Sequence, residues 1–117
     1  MEIDPRDISS DESKNRMIKE LQKIYDPEIP VDIYNLGLIY EINCKKEETS
    51  RLNRCEVVMT FTSATCSMSE VLVDLVRSIP NRIEDGSIEE VDVRVVFDPP
   101  WSQDKMSDEA KLQLGIL

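Results

Sequence analysis

The chain has 117 residues, 40% of them hydrophobic and 32% charged, and carries a formal charge of -10 at neutral pH. One domain with one core fits that length. Its acidity argues against partners held by long-range attraction to anions, so neither nucleic acid nor a membrane surface is expected. No apolar run reaches the ~20 residues of a membrane span, and Met1 to Asp7 lack the basic-then-apolar pattern of a secretory leader. The sequence has no histidine, which removes imidazole general bases and imidazole metal ligands.

In chain order, residues 1–10 read as a loose polar arm and residues 11–117 as a single domain. Ser9 or Ser10 offers a helix N-cap, and Glu12 stands where a capping box from Ser9 needs it. Met17, Ile18, Leu21, Ile24 and Tyr25 follow at helical spacing, which predicts an amphipathic helix over 11–25, stopped at Asp26-Pro27. Ile33 to Cys44 and Cys55 to Thr62 alternate as strands around the polar stretch Lys45 to Arg54. A symmetric hairpin would set Cys44 opposite Cys55, Ile42 opposite Val57, Glu41 opposite Val58, Ile39 opposite Thr60 and Leu38 opposite Phe61.

Beyond Ser63-Ala64-Thr65, a second helix carries a wide apolar stripe of Met68, Val71, Leu72, Leu75, Val76 and Ile79, with Pro80 and Gly86 framing its end. A third strand runs from Ile88 to Phe97 and is broken at Asp98-Pro99-Pro100-Trp101. Ser107 then caps a short helix that ends at Gly115. The order α-β-β-α-β-α predicts a small α/β (α+β) sandwich, with helices packed on a mixed sheet of three strands or slightly more.

The three cysteines, at 44, 55 and 66, have no C-x-x-C spacing and are odd in number. That fits neither a secreted disulfide scaffold nor a four-ligand zinc site, and points to a reducing cytoplasm. Cys44 and Cys55 extend apolar strand faces and read as core or hairpin-end residues; a disulfide between them is conceivable on geometry but disfavoured in that compartment. Cys66 stands where a strand, a polar loop and a helix N-terminus meet. Unpaired N–H groups there favour a thiolate, the form that binds soft metals. Two readings of Cys66 stay open on position alone: a reactive thiol, or a buried inert one. Asp26 and Glu28 read by themselves as a helix stop and solvated acids, and Trp101 as a plug in the core. A thiol enzyme would need a general base, and without histidine only a carboxylate or a partner could serve.

Taken as an ordered set, these segments resemble a family. Asp26-Pro27-Glu28-Ile29-Pro30-Val31, Asn35-Leu36-Gly37-Leu38-Ile39-Tyr40, Thr60-Phe61-Thr62 with Cys66 beyond, and Phe97-Asp98-Pro99-Pro100-Trp101 occur in the order found in SufT-like iron–sulfur cluster assembly auxiliaries. These share a domain with PaaD proteins and the eukaryotic cytosolic iron–sulfur targeting factors. The resemblance spans residues 14–117. It implies a non-enzymatic accessory or carrier protein, often dimeric, that serves iron–sulfur assembly proteins and client apo-proteins.

On that resemblance Cys66 would be the metal ligand, with Asp26, Glu28, Thr60, Thr62, Thr65 and Ser67 lining its site. An iron–sulfur cluster or iron would be held transiently and shared between two chains. Many relatives have glycine before the cysteine and proline or glycine after it, where this chain has Thr65 and Ser67. The alternative is a metal-independent structural adaptor in a larger complex, in the manner of the PaaD proteins.

Overall fold

The computed structural model describes residues 8–26, 29–62, 69–83 and 86–116. The first helix, α1, spans Ser10–Leu21. Ser9 caps it, its hydroxyl accepting from the Glu12 N–H at 3.1 Å, and Asp11 and Glu12 favour the positive end of the helix dipole. Met17 and Leu21 are fully buried beneath it. Within the stretch read as an arm, Ile8 is buried and its carbonyl accepts from Asn53 Nδ2 at 3.0 Å.

The helix stops sooner than the predicted residue 25. From Gln22 the chain turns, and Ile24 and Tyr25 instead run extended against Asp32 and Ile33. The Ile33 N–H donates to Ile24 O at 2.9 Å, and Tyr25 bridges to Asp32. Ile24 is still buried, but it reaches the core from an extended backbone.

Strand β1 covers Ile39–Lys46, β2 Asn53–Met59 and β3 Ile88–Val95. They form a mixed sheet in the order β1-β2-β3, with β1 antiparallel and β3 parallel to β2. The predicted strand start at Ile33 is not observed. Residues 33–37 form a turn because Asp32 accepts from both the Asn35 N–H and its side-chain amide, at 2.9 and 2.8 Å, and Gly37 has φ of 86°.

The hairpin register holds as read for Cys44–Cys55, Ile42–Val57 and Glu41–Val58. It then slips at a bulge between Ile39 and Glu41, so Ile39 faces Met59, not Thr60, and the ladder ends before Leu38 and Phe61 could pair. Tyr40 is the additional residue, and a bulge re-aims such a side chain. Cys44 and Cys55, directly opposite with Cα atoms 4.0 Å apart, are joined in a disulfide. This corrects the reading of them as unlinked core thiols: the register that aligns the apolar faces also brings the two sulfurs together.

Helix α2 spans Ser69–Arg77 and runs into a 3-10 turn at Ile79–Arg82, where Pro80 is accepted because its missing N–H is not needed. Its buried residues are Leu72 and Val76, with Ile79 continuing the row; Val71 and Leu75, read as part of the stripe, are 49% and 37% exposed. The stripe is therefore narrower than its sequence suggests. Helix α3, Asp108–Gln113, is capped by Ser107, whose hydroxyl accepts from the Ala110 N–H at 3.1 Å.

The predicted element order and sandwich are both present. Helices cover one face of the sheet, over a core that includes Ile42, Val57, Met59, Ile88 and Val91. The other face carries charges that pair across strands, Arg54 with Glu90 and Arg94 with Glu41. Among the described residues no helix is long and apolar enough to cross a membrane.

Candidate functional site

Of the residues singled out by the sequence, Cys66, Glu28, Thr65 and Ser67 lie outside the described residues. The described ones are Asp26, Thr60 and Thr62, and all three are buried. Asp26 sits in the reversal after α1. Its N–H donates to Val31 O at 3.1 Å, and its Oδ1 accepts from the Ile29 N–H at 2.9 Å. These bonds tie the end of the helix reversal to Ile29 and Val31, so Asp26 has a structural duty whatever else it does.

Thr60 and Thr62 leave the end of β2 and lead into residues 63–68. The Thr60 N–H donates to Leu38 O at 2.9 Å, which extends the β1–β2 contact past the bulge. The Thr60 side chain hydrogen-bonds the Tyr40 hydroxyl, which itself donates to Pro99 O at 2.7 Å. A tyrosine hydroxyl that gives its proton to a carbonyl can accept one from threonine, which commits the single Thr60 proton to Tyr40. Partial burial raises the Tyr40 pKa above its ordinary 10.0, against the smaller opposing effect of the Thr60 bond. The Lys105 ammonium lies 5.0 Å from the centre of the Tyr40 ring, within cation–π range.

Around this tyrosine the segment 97–107 folds back over the turn before β1. Trp101 Nε1 donates to Leu36 O at 2.8 Å, and the Ser107 N–H donates to Asn35 O at 2.9 Å. Gly37 is required at their meeting point, because a Cβ there would stand 2.3 Å from Lys105 O. The sequence reading set Trp101 in the core, and it does pack against the core. It missed Tyr40 and Lys105 as partners of Thr60. The available signal was Gly37, whose left-handed turn marks a place where another backbone comes close.

A cavity of about 380 Å³ opens at the same end of the sheet, between α2 and the chain leaving β2 and β3. Phe61 and Ser69, which line it, flank residues 63–68 on either side; Val73, Arg77, Val95 and Phe97 complete most of the wall. Phe97 is 64% exposed, so the apolar row of β3 passes from buried Val91 to an open mouth here. Arg77 sits at this wall with Glu70 and Asp74, which gives the mouth mixed charge. Among the described residues no three of Cys, Asp or Glu cluster as a metal site would require.

Residues 16–93 match the model of a family described as iron–sulfur cluster assembly protein. The chain is 39% identical to the Fe-S protein maturation auxiliary factor SufT of Staphylococcus aureus over 93 residues, covering 80% of this chain and 98% of that protein. It is 34% identical to the Fe-S protein maturation auxiliary factor YitW of Bacillus subtilis, covering 88% of this chain and 94% of that one. Its fold is similar to the crystal structure of a domain of unknown function from Bacillus anthracis, with a TM-score of 0.77, 33% identity, and coverage of 92% of this chain and 96% of that one.

Proposed function

Because this chain belongs to the iron–sulfur cluster assembly protein family, we propose that it is an accessory or carrier factor in iron–sulfur protein maturation, with Cys66 as its working thiol. The accessory role rests on the family match and on relatives that bear the name of maturation auxiliary factors along nearly their whole length. It catalyses no reaction of its own. Its partners are the assembly machinery and client apo-proteins.

The observation that carries the choice of Cys66 is the arrangement of the cysteines. Cys44 and Cys55 are joined to each other within the hairpin, so Cys66 is the one cysteine of the sequence left with a thiol. In the sequence it falls between Phe61 and Ser69, both of which line the cavity at the sheet's end. One thiolate is too few to hold a cluster. Two chains sharing the cargo, iron or a cluster, through paired Cys66 thiolates supply the missing ligands, in a homodimer that forms around the cargo and releases it. Asp26, Glu28, Thr62, Thr65 and Ser67 line that site, while Thr60 holds Tyr40 and so fixes the strand end from which the segment departs.

Anaerobic reconstitution with iron and sulfide tests this. Wild type is expected to gain visible absorption and to shift toward dimer, and Cys66→Ala to do neither. Absorption unchanged by Cys66→Ala would remove the ligand assignment. If clients also bound Cys66→Ala normally, without any metal dependence, the protein would be a structural adaptor instead.

A further inference from the structure

We propose that the groove between α1 and the 3-10 turn Ile79–Arg82 is a docking site for an acidic polypeptide segment of a partner protein. The groove is open, with a volume of about 770 Å³, the larger of the two cavities described, and none of Thr60, Thr62 and Tyr40 lines it. Arg16 and Lys19 line it from α1, three residues apart and so near one face of the helix, and Lys23 lines it from the turn that follows. Arg82 faces them from the turn, and Ile83 adds an apolar wall. The chain has 24 acidic residues against 14 basic ones, yet the described residues lining this groove include four cationic side chains and a single carboxylate, Glu20.

Glu20 organises the cations more than it cancels them. Its side chain is 11% exposed and bonds Lys23 Nζ at 3.1 Å and Arg82 Nε at 3.9 Å, from opposite walls. Arg82 is also fixed by donating to Leu75 O at 2.7 Å, and Arg16 by donating to the Ser87 hydroxyl at 3.2 Å. Guanidinium groups already held in place lose little freedom on binding a carboxylate. The cations line a groove with an apolar wall, which suits a peptide that presents several carboxylates around an apolar side chain. A lone phosphate would leave most of the volume empty. Nucleic acid and anionic lipid carry negative fields that extend past the groove onto a chain of net charge -10, whereas a short peptide confines its carboxylates to the groove. The groove is independent of Cys66, so this inference stands or falls separately from the function proposed above.

The test is an amide NMR titration of the full chain at low salt with a synthetic peptide of alternating glutamate and leucine. Pyrophosphate and a lysine–leucine peptide of equal length serve as comparison probes. Shifts are expected along Arg16 to Lys23 and at Arg82 and Ile83, with affinity falling as salt is added. Lys19→Glu with Lys23→Glu should weaken binding by about tenfold or more, and Lys19→Gln alone by a smaller factor that leaves the Glu20 contacts in place. Lys45→Glu with Lys46→Glu, at the hairpin end, should change nothing. Glu84→Gln with Asp85→Asn, next along the chain and outside the described residues, should bind at least as tightly. Shifts centred elsewhere, equal weakening by both lysine pairs, equal binding of pyrophosphate, or no binding of the acidic peptide would each overturn the proposal.

Discussion

The β1–β2 hairpin and the segment 97–107 lie against the same core and are held in opposite ways. In the hairpin, alternation along two adjacent strands decides everything: Ile42, Val57 and Cys55 are buried because the register puts them on the helix side, and the other face can vary. The segment 97–107 has no such repeat. A few long-range bonds hold it, each from a side chain or N–H to a backbone carbonyl: Tyr40 to Pro99, Trp101 to Leu36, Ser107 to Asn35. The first kind of structure spreads its stability over many positions, and the second concentrates it in a few. The proposed site is built at the end where the second kind takes over.

Substitutions should expose that difference. The largest effect is expected at Gly37→Ala, where a positive φ and a Cβ 2.3 Å from Lys105 O act together. A loss of about 3 kcal/mol in urea unfolding is expected. Trp101→Phe keeps an aromatic ring but leaves Leu36 O without its donor. It should cost about 1.5 kcal/mol and loosen segment 97–107 in hydrogen exchange while sparing the hairpin amides.

Tyr40→Phe removes the bond to Pro99 O and should cost about 1 kcal/mol near neutral pH. It also carries a pH signature. The native Tyr40 keeps its proton above the ordinary 10.0, so the folded chain holds more protons than the unfolded one as pH rises past that value. Stability from this group is intact below about pH 10 and falls above it; Tyr40→Phe should flatten that part of the fall. The smallest effect belongs to the hairpin side. Arg94→Ala breaks an exposed pair with Glu41 at 4.0 Å and should change stability by less than about 0.5 kcal/mol. A loss there as large as that at Trp101 would erase the contrast between the two regions.

The same contrast explains what could be read from the sequence. Both capped helices were legible at Ser9 and Ser107, because an N-cap acts within one turn. The Cys44–Cys55 pairing position followed from alternation alone. The early end of α1 did not, since Ile24 continues the helical spacing while its backbone bonds go to Ile33, a partner chosen by the turn at Asp26. The bulge at Tyr40 was hidden for a related reason. Its side chain goes to Pro99, 59 residues away, and periodicity carries no information at that distance. The Thr60 partner was hidden in the same way, since Tyr40 reaches it only past the bulge.

The central claim is that this protein serves iron–sulfur maturation through the thiol of Cys66. The most direct measurement is the rate at which an apo iron–sulfur enzyme regains activity under anaerobic conditions, supplied with iron, sulfide, a thiol reductant and this protein. Wild type is predicted to accelerate recovery, and Cys66→Ser to leave it at the rate seen without the protein. Equal acceleration by wild type and Cys66→Ser would contradict the account.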